Sequence, residues 1–239
     1  QLAVPLGFAV AGPREVRETE SATYKAAIAM DDGSFDPLAA EEGDAFDLLS
    51  PSSFASMNSE SGLLSTSPLL EPEPLTVRLT RGTTTVTRHV MVLNTILDNF
   101  GSYAGDGLDD TWQTLYFGSN NPDAAPTKDP EHDGQTNLEE YLFRLHPWVP
   151  LPFTMTAGNG VQNGMLEFHY TRDSSAARSG AVFTPQWSDS LQPSDWHESG
   201  ITSLVLSDDG VTQEVKIAVP AGTQGSRFVR IRGQGLPTP

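Results

Sequence analysis

The chain has 239 residues, 31 acidic against 14 basic side chains, a formal net charge of −17 and no cysteine. That charge argues against nucleic acid as a partner, because phosphate binding needs clustered Lys and Arg. The absence of cysteine removes disulfides and thiolate chemistry. No apolar run approaches the roughly 18 residues of a membrane helix, so no membrane span is expected.

The length fits two domains or three small ones. At the start, "QLAVPLGFAV" is apolar but short and lacks the basic flank of a signal peptide. It reads as an internal or mature end of a longer chain, and as a strand able to add to a neighbour. Next, "GPREVRETESATYKAAIAMDDGSFDPL" holds strand-like runs with a turn at Asp32-Gly33. The acidic, serine-rich stretch 31–61 reads as long loops, and "SPLLEPEPL" (67–75) as an extended Pro-rich connection. In "LTVRLTRGTTTVTRHVMVLN", Gly82 separates two alternating strands, with Val77 and Leu79 on one face and Thr76 and Arg78 on the other. Together, "VAGPREVRETESATYKAAIAMDDGS", "SFASMNSESGLLST" and the closing "VMVLN" resemble the bacterial immunoglobulin-like group 2 domain over residues 8–94. Phe46 stands where that family usually has Trp. The resemblance implies a β-sandwich spacer or adhesion module without catalytic residues.

Residues 99–147 concentrate charge, with nine acidic and two basic side chains. Within them, "DPEHDGQTNLEE" matches the spacing of an EF-hand-type loop, which takes oxygen ligands from positions 1, 3, 5, 7, 9 and 12 around a glycine at 6. Asp129, Glu131, Asp133, Asn137 and Glu140 fall on 1, 3, 5, 9 and 12. Gln135 at 7 offers its backbone carbonyl, Gly134 supplies the turn, and His132 sits at the non-ligand position 4. The bland alternative is an acidic turn capping a helix through Thr136 or Asn137. The helix that follows, 137–145, should bury Leu138, Tyr141, Leu142 and Leu145 and stop before Pro147. Upstream, "SYAGDGLDDTWQTLYFG" repeats the pattern in degenerate form. Asp106 and Asp110 take positions 5 and 9, but Ser102, Ala104 and Gln113 fall on 1, 3 and 12. Its helix, 110–117, should present Trp112, Leu115 and Tyr116 to Leu138 and Leu142. The stretch Gly105–Pro147 resembles the calcium-binding segments related to dockerins and thrombospondin type 3 repeats, found near the C-termini of large secreted bacterial proteins. It implies calcium as the cofactor, held by Asp129, Glu131, Asp133, Gln135, Asn137 and Glu140, with Asp106 and Asp110 at a second site.

From about Pro150 the chain alternates again. "MLEFHYTR" sets Leu166, Phe168 and Tyr170 against Glu167, His169 and Thr171, and "AVFTPQWSDSL", "TQEVKIAVP" and "SRFVRIRG" follow. This resembles a small β-sandwich module that closes similar bacterial proteins. Trp187 and Trp196 read either as a sugar-stacking pair or as core. No GxSxG, HExxH, P-loop or dinucleotide fingerprint occurs, so an enzyme is not expected.

The expected architecture is mainly β: two β-sandwich domains, 1–98 and 149–239, joined by a calcium-binding EF-hand-like helical segment, 99–148. The expected function is a non-catalytic, calcium-stabilised segment or fibre subunit, extracellular or at a bacterial cell surface. Its partners would be copies of itself or other surface proteins. A glycan- or protein-binding adhesion or dockerin-like module is the alternative.

Overall fold

Alternating side chains build the first part of the molecule. The computed structural model describes residues 3–222 and 226–238, and the chain is mainly β. It divides into two compact units, Gln1–Ile96 and Leu97–Pro239. The first unit opens with β1 (Pro5–Ala11), β2 (Glu15–Arg17), β3 (Ser21–Thr23), β4 (Lys25–Met30) and β5 (Phe35–Pro37). It continues through β6 (Ala45–Leu48), β7 (Ala55–Met57), β8 (Leu63–Thr66), β9 (Glu73–Arg81) and β10 (Thr84–Leu93). Its sheets are ordered β1-β4-β5, β2-β10-β9-β6 and β3-β8-β7.

The alternation along β9 and β10 buries Val77, Leu79, Val90 and Val92 in one core with Tyr24, Phe46 and Leu64. Arg81 faces Thr84 across the hairpin, leaving Gly82-Thr83 as a two-residue loop with Gly82 at φ 57°. Such loops need a positive φ, which glycine adopts without steric cost. Strand β1 pairs antiparallel with β4 of its own unit and stands at the end of its sheet order. One expectation changes here. The Pro-rich connection already becomes strand at Glu73. Pro74 is tolerated there because β6 pairs with β9 only from Val77 to Thr80, so no sheet donor is required of it.

The second unit begins with helix α1 (Asp110–Phe117), a 3-10 turn (Pro122–Ala124) and helix α2 (Asn137–Phe143). Then come β11 (Thr156–Gln162), β12 (Met165–Asp173), the short helix α3 (Ser174–Arg178), β13 (Val182–Ser188), β14 (Thr202–Asp208), β15 (Thr212–Pro220) and β16 (Phe228–Gln234). A four-stranded sheet, β11-β12-β15-β14, accompanies the pair β13-β16. By sequence, 99–148 stands apart from 149–239; in the structure they share one core. Leu108, Tyr141, Leu142 and Phe143 pack in the same cluster as Tyr170, Val215, Ile217 and Val219. Two helices of eight and seven residues cannot enclose a core alone, so their apolar side chains are buried against the strands. Contact is close: a Cβ on Gly233 of β16 would lie 2.4 Å from Leu142 Cδ1.

The helices fall where periodicity puts them, with two differences. Leu115, expected on the packed face of α1, is 74% exposed. Trp112, expected on the same face, does pack, lying 5.2–5.8 Å, centroid to centroid, from Tyr116, Phe117 and Tyr141. Helix α2 ends at Phe143, before the expected 145, because Arg144 adopts the left-handed conformation at φ 59° and forms its C-cap. Strand β14 escapes the period-2 pattern because all seven of its residues are exposed.

Candidate metal centre

Each of the first two helices of the second unit is entered through an acidic loop and capped by a side chain. Asp109 caps α1 by accepting from the N–H groups of Thr111 and Trp112. Thr136 caps α2 in a reciprocal box. Its hydroxyl accepts from the Glu139 N–H, and Glu139 Oε2 accepts from the Thr136 N–H at 2.9 Å. The box uses Glu139 at the surface and leaves Glu140, one residue on, facing inward.

The loop before α2 gathers the predicted ligands. Asp129 accepts from the Asp133 N–H at 3.2 Å and the Gly134 N–H at 2.9 Å. Asp133 accepts from the Gln135 N–H at 2.8 Å and from Gln135 Nε2 at 3.0 Å. These bonds need a tight turn, with His132 at φ 61° and Gly134 at φ 93°. One carboxylate oxygen each from Asp129, Glu131 and Asp133 lies within 4.8 Å of the others. Among the described residues this is the one such group of three. Besides its bond to Asp133, the Gln135 side chain donates to Leu151 O at 2.7 Å and accepts from the Phe153 N–H at 2.8 Å. Its backbone carbonyl is the part left for a ligand role.

On α2, which follows the loop, Asn137 and Glu140 are both 0% exposed. The Asn137 amide donates to Asp123 O at 2.7 Å and Ala125 O at 2.9 Å, which fixes its orientation and leaves Oδ1 free. Neither oxygen of Glu140 has a hydrogen-bond partner, and neither does either oxygen of Glu131. Burial, together with Glu131, Asp133 and Asp129 close by, holds the Glu140 carboxyl well above the usual carboxylate range. A buried carboxylate without donors is costly. Four carboxylates and an amide oxygen with these free atoms fit a hard divalent cation, which prefers an all-oxygen shell.

The loop before α1 is built differently. Asp98, which the spacing rule passes over, does the work of Asp129. It is 2% exposed and accepts from the N–H groups of Gly105, Asp106 and Gly107 at 2.6, 3.1 and 2.7 Å. Asp106 accepts from the Leu108 N–H at 3.0 Å and Gln113 Nε2 at 2.7 Å. Asp110 accepts from the N–H groups of Asn99 and Phe100, both at 2.7 Å. Burial still raises all three carboxyls, Asp110 to about 6. The signal for Asp98 was an acidic residue just upstream of the loop. It lies outside the fixed spacing because the intervening segment is longer here.

A cation covers each of two indoles, Trp187 on β13 and Trp196 in the loop between β13 and β14. The Arg227 guanidinium lies 3.7 Å from the Trp187 ring centroid, and that of Arg230 3.9 Å from Trp196. His197 also lies 4.5 Å from the Trp187 ring. His169 pairs with Glu214 at 3.2 Å, partly exposed on its strand.

No family model matches the chain, and no curated protein matches it. Among solved structures it is similar to the crystal structure of the S-layer protein rSbsC(31-844), with a TM-score of 0.34 and 12% identity. That similarity covers 98% of this chain and 27% of the other, so this chain spans about a quarter of that structure.

Proposed function

We propose that residues 129–140 bind one calcium ion, and that the chain is a non-catalytic, calcium-stabilised structural segment of a secreted or cell-surface bacterial protein. The observation that carries this reading is Glu140: fully buried, with both carboxylate oxygens free, beside Asp129, Glu131 and Asp133. Asp129, Glu131, Asp133, Asn137 and Glu140 would hold the ion through side chains, and Gln135 through its carbonyl, in the order a calcium loop uses. A bound dication would offset the mutual repulsion of four carboxylates and tie the loop to α2. Because α2 shares its core with the C-terminal strands, that stabilisation extends through the second unit. Extracellular calcium modules work with Kd values of about 10⁻⁴–10⁻³ M, which matches a secreted setting. Copies of the chain or other surface proteins are the partners this role implies. The covered indole faces give a sugar-stacking role for Trp187 and Trp196 no support.

Titration calorimetry tests the reading. The chain should bind one calcium ion, and Glu140→Gln should abolish the heat. No heat in the native chain, or equal heat in the variant, overturns it.

A further inference from the structure

The two acidic loops superpose in chemistry residue by residue. Asp98 and Asp129 both accept from the N–H groups at the tip of their loops, those of Asp106 and Gly107 in one and Asp133 and Gly134 in the other. Asp106 and Asp133 each accept from the N–H two residues on. Asp109 and Thr136 are the two helix caps. Gln113 therefore stands where Glu140 stands, each on its helix four residues after the cap and each fully buried. We infer that the first loop is closed by the Gln113 amide and takes no cation, so that residue 113 sets the stoichiometry at one ion per chain. This rests on the calcium reading of the second loop.

Hydrogen-bond donors separate the two loops. In the first, Asp98, Asp106 and Asp110 receive seven N–H donors. In the second, Asp129 and Asp133 receive four, and Glu131 and Glu140 none. Donors to a carboxylate do part of what a cation would do, and they compete for the same oxygens. The decisive one is Gln113 Nε2. It donates both to Asp106 Oδ2 at 2.7 Å and to Ala124 O at 3.0 Å, two acceptors that fix which end of the amide faces them. A glutamate at 113 has no proton to give either acceptor. It would place a fourth carboxylate beside Asp98, Asp106 and Asp110, as Glu140 is placed in the other loop. Asp110 Oδ1 and Gln113 Oε1 are already buried without partners, so oxygen positions for a cation are present. What is missing is the charge at 113.

Equilibrium dialysis with radioactive calcium reads the stoichiometry directly. Expected are one ion for the native chain, two for Gln113→Glu, none for Glu140→Gln and one for the double variant. Two ions in the native chain overturn the inference while leaving the second loop's role intact. A natively folded Gln113→Glu variant that still binds one ion overturns residue 113 as the determinant. If Gln113→Glu does not fold, amide hydrogen exchange on the native chain decides. With chelator, the Gly105, Asp106 and Gly107 amides should keep their protection while that of Gly134 loses at least tenfold; equal loss in both loops overturns the inference. If the native chain binds no calcium, the reading of the second loop fails. The first-loop amides then decide alone: protection in chelator upholds the inference, and free exchange overturns it.

Discussion

The two loop–helix repeats of the second unit use the same spacing for opposite ends. In the first, seven N–H donors reach the carboxylates and the helix leaves its equivalent leucine, Leu115, in solvent. In the second, the loop keeps bare carboxylates and the helix buries Leu142 completely. A repeat read from spacing alone treats them as copies. The difference teaches that position fixes where a side chain points, while its donors and neighbours fix what it does there.

The largest effect should come from the helix that carries the core. Leu142→Ala is expected to cost about 4 kcal/mol, since Leu142 fills the space Gly233 leaves open and its loss creates a cavity. Denaturant unfolding of the second unit measures this, and a loss under about 1 kcal/mol would mean that α2 is not part of the core. Next comes the ion. At a hundredfold excess over Kd, calcium should add about 2.7 kcal/mol. For a unit of this size that raises its melting transition by about 5–10 °C, with the first unit unmoved. Glu140→Gln should remove the calcium response, and in chelator near neutral pH it should melt close to the native chain, because the Glu140 carboxyl, held well above the usual carboxylate range, is already protonated without the ion. A variant that melts far above the native chain in chelator would mean that Glu140 is charged there.

Asp98 and Asp129 sharpen the contrast further. Asp98→Ala leaves backbone donors unpaired and should cost about 2 kcal/mol whether or not calcium is present. Asp129→Ala should cost mainly in calcium, by losing the ion. Equal calcium dependence in both would erase the distinction between the loops. The smallest effect belongs to Leu115→Ala, expected within about 0.5 kcal/mol because the side chain is already in water. Melting curves of Leu115→Ala and Leu142→Ala, side by side, test whether the two helices differ as described.

By itself the sequence determined much of the local structure. Period-2 alternation marked β9, β10, β12 and β15, and the glycine of the Gly82 hairpin followed from turn chemistry. Periodicity of about 3.6 placed both helices of the loop–helix repeats to within two residues. The spacing of Asp129, Glu131, Asp133, Asn137 and Glu140 was legible because a tight loop is a local object whose geometry depends on a few neighbouring residues. Only the tertiary structure decided the rest. It showed that the helical segment and the C-terminal strands share one core, and that β14 is a strand although no residue in it is buried. It replaced Ser102 with Asp98 at the head of the first loop, and it left Leu115 in solvent while Trp112 packs on Tyr141 of α2 as expected. Each of these depends on which surface a segment meets across the fold. Burial and the supply of N–H donors are properties of that meeting and are not written in the spacing of residues along the chain.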